Sequence, residues 1–219
     1  MPYTRTTWAD YPNTTTPITA TALNNIEQGI VTLDRYNGVY TNEAARDAAI
    51  TSPAEGMTAY LTAPTVPAAT GATTMVPTGI TTIYNGSAWV CTTEVGAITN
   101  ASGTTTSSAA WTATLSGSPG TNPSVTLATG TTALVYLTGT VANSGANICN
   151  IGVAVSGATT IAASADYCLE AVTTNNLSFG KVMPITGLTA GTNTFTLHYL
   201  VSAGTGTFQR RQLVVKGIA

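Results

Sequence analysis

Between Gly56 and Ala165 the chain carries a single charged residue, Glu94. Every other charge lies before or after that stretch. So long an uncharged segment has to fold, because left extended it is an aggregation hazard. Its solubility must come from hydroxyls and amides. Roughly one residue in five of the chain is Thr. Thr on the outer side of a strand gives a polar surface while keeping β-propensity. The distribution of charge therefore points to β-structure before any single strand is identified.

Charged residues make up 7% of the 219 and hydrophobic residues 43%. An ordinary domain carries about 25% charge. With 7 Lys+Arg against 9 Asp+Glu, no basic patch exists to neutralise phosphates, so nucleic-acid binding of the usual kind is excluded. Charge-driven disorder needs low hydrophobicity with high net charge, and the net charge is −2. No run of about 18 apolar residues escapes interruption by Thr, Ser, Gly or Asn, so a helical membrane span is not expected. Met1-Pro2-Tyr3-Thr4-Arg5 leads into polar residues and lacks the apolar core of a secretory leader. Cys91, Cys149 and Cys168 are an odd number with no close pair. They read as small buried hydrophobes, with a Cys149–Cys168 bridge left open.

Three parts follow along the chain. Residues 1–41 are an extended arm plus a helix. Pro2, Pro12 and Pro17 interrupt regular structure, and Trp8, Tyr11 and Ile18 are the arm's docking side chains. The helix spans 19–35, with Thr19 as N-cap and an Ile18–Leu23 staple. Its apolar positions Leu23, Ile26, Ile30 and Leu33 have the 3-4-3 spacing of a coiled-coil seam. Two heptads are marginal alone, so the helix either lies on its own domain or joins identical helices. We expect the seam.

Residues 42–96 are a short helix and a small β-hairpin module. Asn42 caps Glu43–Ala49, and Ser52-Pro53 ends the helix. Residues 56–61 read as a strand. Residues 80–84 and 88–90 flank Asn85-Gly86, the strongest short hairpin signal. The Pro-, Ala-, Thr- and Gly-rich stretch 63–79 reads as a loop.

Residues 97–219 read as strands only. Phe195, Leu197, Tyr199 and Val201 alternate with Thr194, Thr196, His198 and Leu200, and Cys149, Ile151, Val153 and Val155 alternate likewise. Turn clusters recur about every ten residues. Short strands at that spacing predict a sandwich or barrel, here a jelly-roll-like β-sandwich. The fold class is mainly β.

No catalytic constellation is spelled out, so we expect no enzyme, cofactor or metal site. His198 is the one His and sits mid-strand, with no elbow motif around any Ser. Asp166 and Glu170, placed on one strand, would share a face and form a carboxylate pair, but two solvated acids is the simpler reading. Arg210-Arg211 reads as an exposed strand turning into the core. The sequons at Asn13, Asn85, Asn100 and Asn176 are expected by chance in a Thr- and Ser-rich chain. Trp111, Tyr136, Tyr167 and Tyr199 are the aromatic candidates for sugar contact, against a core or interface role.

Thr7-Trp8-Ala9-Asp10, Thr16-Pro17-Ile18-Thr19-Ala20 and Leu23–Ile30 resemble the N-terminal segment of many tailed-bacteriophage virion proteins. Ala45–Ile50, Ser52–Met57, Tyr60-Leu61 and Tyr84–Val90 resemble a small β module of the same proteins. Gly206–Val215 resembles the last strands of trimeric, tumour-necrosis-factor-like phage head domains. The resemblance is strongest over 7–61 and 80–90. It implies a homotrimeric virion surface protein held by residues 1–35 to other virion proteins. Such a protein is made in the bacterial cytoplasm and displays a distal head, with a host-surface glycan as a further partner. Short tail fibre, capsid decoration protein and head fibre all match these motifs. A secreted carbohydrate-binding module is the remote alternative.

Overall fold

Alternating apolar and hydroxyl residues give a strand one buried and one polar face, and the computed structural model shows what those faces build. It describes residues 20–219, apart from the side chains of 31–36. The expected arm residues Trp8, Tyr11 and Ile18, the cap Thr19 and the side chain of Leu33 lie outside the described residues.

The chain opens with α1 (Ala20–Tyr36), β1 (Asn37–Tyr40) and α2 (Glu43–Ala49). Next come β2 (Thr58–Leu61), β3 (Ala68–Thr70), β4 (Thr73–Met75), β5 (Ile80–Tyr84) and β6 (Trp89–Cys91). β7 (Val95–Thr99), β8 (Gly103–Thr105), β9 (Ser116–Gly117), β10 (Ser124–Thr129), β11 (Thr132–Asn143) and β12 (Ile148–Gly157) follow. A 3-10 turn at Ala165–Tyr167 precedes β13 (Cys168–Val172), and β14 (Leu177–Thr186), β15 (Gly191–Val201) and β16 (Gly206–Ile218) complete the chain.

Three sheets result. The small one has the order β1-β2-β5-β6, with β1 parallel to β2. Two larger sheets, β13-β12-β15-β10-β3 and β14-β11-β16-β7-β4, face each other. From β10 onward the chain changes sheet at every connection except the β12–β13 hairpin. That connectivity is a jelly roll, a double Greek key. Its inward residues form one core, including Leu127, Val135, Leu137, Ile151, Val153, Phe195, Leu197, Phe208 and Leu213. Leu61, Ile80 and Cys91 of the small sheet join the same core.

The local signals produce the expected elements. Asn42 Oδ1 accepts from Ala45 N at 3.0 Å and starts α2. Gly86 adopts φ +89° in the β5–β6 turn, a conformation that favours glycine. Asn85 Oδ1 accepts from the N–H groups of Ser87 and Ala88 there.

One reading needs correction and another gains a cause. The stretch 63–79 is not all loop: β3 pairs with β10 and β4 with β7, so it extends both sheets. Three-residue strands have no measurable period, and only their partners make them strands. The pair Arg210-Arg211 does turn from the surface into the core, with Arg210 exposed and Arg211 buried, but through a bulge that the sequence does not signal. β16 slips register against β11 between Thr138 and Thr140, and Arg210 sits at φ +49°. This bulge shifts the alternation and turns Arg211 inward, where it is 1% exposed.

Candidate functional site

A concave site lies where the small sheet and α2 meet the end of the jelly roll. Because Asn42 fixes the start of α2, Glu43 and Arg46 fall three residues apart on one side of the helix. Glu43 ties the following segment down: its Oε2 accepts from Thr65 N and Oγ1 at 3.0 and 2.9 Å, and its Oε1 from Val66 N at 3.0 Å. Burial opposes ionisation of this carboxyl, but those donors outweigh it and hold its pKa below the ordinary value. Arg46 is 5% exposed. Its guanidinium lies 4.5 Å from the ring centre of Trp89, donates from Nε to Asp47 at 2.8 Å and reaches Thr82 Oγ1 from Nη1 at 3.4 Å. Tyr84 meets Trp89 edge-on, ring centres 5.5 Å apart. Val66, Ile80, Cys91, Ala128 and Thr192 complete a cleft of about 220 Å³.

A second, wider groove of about 480 Å³ follows the open edge between β13 and β14. Glu170, Phe179 and Lys181 line it, and Lys181 Nζ donates to Cys168 O at 3.1 Å.

The outer faces of the two large sheets differ. The β10–β15 face presents hydroxyls: Thr126 and Thr194 are hydrogen-bonded side by side at 2.8 Å, beside Ser124 and Thr196. On the other sheet Val182, Tyr136, Val214, Gly96 and Met75 are successive register neighbours across the strands. Val182 is 55% and Met75 41% exposed. A Cβ at Gly96 would lie 2.5 Å from Met75 Cε and 2.9 Å from Val214 Cγ2, so those two side chains close over the glycine. No strand of this sheet carries an acidic residue.

The residues singled out from sequence scatter. Leu23 is half-buried, while Ile26 and Ile30 are 60% and 42% exposed on α1. Trp111 packs over Gly152 on the hydroxyl-bearing sheet, where a Cβ would come within 2.6 Å of its ring. Tyr136 is half-buried on the apolar face, and Tyr167 is half-buried against the core. Tyr199 is fully buried and offers nothing to a sugar. Asp166 and Glu170 do not share a strand. Asp166 belongs to the 3-10 turn and Glu170 to β13, and both are exposed. Among the described residues the buried Nδ1 of His198 has no hydrogen-bond partner, so none of them supplies the carboxylate that orients a triad histidine. Burial lowers its pKa. The three cysteines are free and buried, with no Cys149–Cys168 bridge, and burial pushes all three thiols up. Among the described residues no three His, Cys, Asp or Glu converge on a metal position, and no helix is long and apolar enough to cross a membrane.

Sequence reasoning placed α2 and the hairpin but did not join them into a site. Arg46 and Glu43 sit among alanines with no motif spacing, and Trp89 reads only as a hairpin residue.

No protein-family model matches this chain, and no curated protein matches it. Solved structures give distant likenesses. The Eiger tumour-necrosis factor of S. frugiperda is 12% identical with a TM-score of 0.37, over 57% of this chain and 92% of that one. The CBM22-1–GH10 modules of Clostridium thermocellum xylanase 10B are 11% identical, with a TM-score of 0.30 over 54% and 25% of the two chains. TmCBM61 in complex with β-1,4-galactotriose is 13% identical, with a TM-score of 0.25 over 55% and 68%. At these scores the likenesses do not bear on what this chain binds; its jelly roll stands on its own strand order.

Proposed function

We propose that this protein is a non-enzymatic structural protein of a tailed-phage virion. It is a homotrimeric surface appendage, anchored through residues 1–35 and displaying the jelly-roll head, with a host-surface glycan as a further partner. The observation that carries the reading is the position of Ile26 and Ile30. They stand one helical turn apart on α1 and are 60% and 42% exposed, and an apolar stripe of this kind calls for a partner. They fall within the segment whose residues resemble virion N-termini. The apolar row Val182–Tyr136–Val214–Met75 adds a second surface suited to close packing of copies, while the hydroxyl-bearing sheet suits contact with water. The capsid decoration protein or head fibre is the second reading, since it needs the same arm and head.

Cryo-electron microscopy of purified virions tests this. A few copies at the tail tip support an adhesion role. Many copies across the capsid lattice support decoration, with residues 1–35 as the cementing arm. Absence from the virion overturns the proposal and favours a secreted module.

A further inference from the structure

The guanidinium of Arg46 is held but not used up. An arginine has five N–H donors; among the described residues one goes to Asp47 and one to Thr82, which leaves three. Nη2 has no hydrogen-bond partner among the described residues and is not a buried orphan, and Arg46 lines the cleft. Trp89 stacks on the guanidinium at 4.5 Å and Asp47 grips Nε. The fork is therefore fixed before any ligand arrives, which lowers the entropy lost on binding.

Glu43 lines the same cleft. Its Oε1 accepts from Val66 N and has a second lone pair for an incoming O–H donor. The cleft thus offers a fixed cationic donor beside a fixed anionic acceptor. Asp47 and Glu43 together offset the charge of Arg46, so a free anion gains no net attraction. A neutral polyol meets both groups at once: one hydroxyl oxygen accepts from Arg46, and an adjacent hydroxyl donates to Glu43. Val66, Ile80 and Ala128 supply an apolar wall for C–H groups. The volume of about 220 Å³ is below the roughly 300–1,000 Å³ of sites for larger ligands, which limits the occupant to one ring.

We propose that the cleft between α2, the β5–β6 hairpin and the β10/β15 end binds a single neutral sugar unit through two adjacent hydroxyls, one to Arg46 and one to Glu43. This deepens the glycan-binding part of the function proposed above and rests on that part alone.

The test is saturation-transfer NMR on the full chain with glucose, galactose, mannose and N-acetylglucosamine as probes, and with acetate and inorganic phosphate as anionic ones. At least one hexose should bind, with an affinity on the order of 1 mM as befits few contacts. Arg46→Lys keeps the charge and removes the fork, and should weaken binding about tenfold, the cost of a charge-assisted hydrogen bond. Thr192→Phe fills the cleft from an exposed position and should abolish binding without unfolding the chain, as circular dichroism would verify. The proposal is overturned if no hexose binds, if only acetate or phosphate binds, or if the hexose signal survives Thr192→Phe. Those outcomes leave the trimer and the virion location untouched, because neither is read by this experiment.

Discussion

The guanidinium of Arg211 donates from Nη1 to the hydroxyl of Tyr199 at 3.1 Å, inside the jelly roll, with its Cζ 5.6 Å from the ring centre. Among the described residues no carboxylate joins them. Nη2 donates to the carbonyls of Ala101 and Pro119, Nε has no partner among the described residues, and the tyrosine hydroxyl donates to Asn122 Oδ1 at 2.7 Å. Arg211 therefore fastens the 101–122 segment to the end of the sandwich through neutral acceptors. Arg211→Ala should cost about 3 kcal/mol, since it leaves a cavity and orphaned acceptors. Arg211→Met should cost distinctly less, because it keeps the packed stem and removes an unpaired buried charge. Urea unfolding of both variants checks the order; equal losses would deny the fastening role.

The same pair sets an alkaline limit. Burial, partly offset by Arg211, raises the pKa of Tyr199 from 10.0 to about 12. A raised tyrosine pKa means the folded state favours the neutral hydroxyl. That stability is complete below pH 10 and is lost as pH rises toward 12. The loss should approach 3 kcal/mol, about 1.4 kcal/mol for each pKa unit. Denaturation midpoints of the protein and Tyr199→Phe, followed from pH 9 to about 12, should converge if this holds. Parallel curves would show that Tyr199 does not titrate in the unfolding step.

Glu43 sets the corresponding acid dependence. Its folded pKa lies below the ordinary 4.5. Its contribution is therefore present above 4.5 and disappears as pH falls through the lower folded value. Glu43→Gln should flatten the acid limb of the stability curve and loosen residues 65–66. Amide hydrogen exchange of Thr65 and Val66, whose N–H groups it holds, should quicken in the variant. Unchanged exchange would contradict the assignment.

Ile26→Asp combined with Ile30→Asp tests the proposed assembly. Each buried isoleucine contributes about 2 kcal/mol, so two replacements per copy should convert the trimer to a monomer in sedimentation velocity. A variant that still sediments as a trimer would place the contact elsewhere, with the Val182–Tyr136–Val214–Met75 row as the surface to alter next. Folding of the variant should be unaffected, since both side chains are exposed in the single chain.

Much of this molecule is written locally. The alternation at Phe195–Val201 decides which side of a strand meets the core. Asn85-Gly86 makes a hairpin because glycine accepts positive φ, and Asn42 starts α2 because its side chain reaches Ala45 N. Such features depend on neighbours a few residues away, so the sequence determines them by itself. Only the tertiary structure makes strands of Ala68–Thr70 and Thr73–Met75, whose partners are β10 and β7. It alone turns Arg211 inward, through a bulge set against β11. It alone separates Asp166 from Glu170 and gathers Glu43, Arg46, Thr82 and Thr192 around one cleft. These arrangements arise from contacts between distant parts of the chain, whose energies come from packing and desolvation in the assembled core.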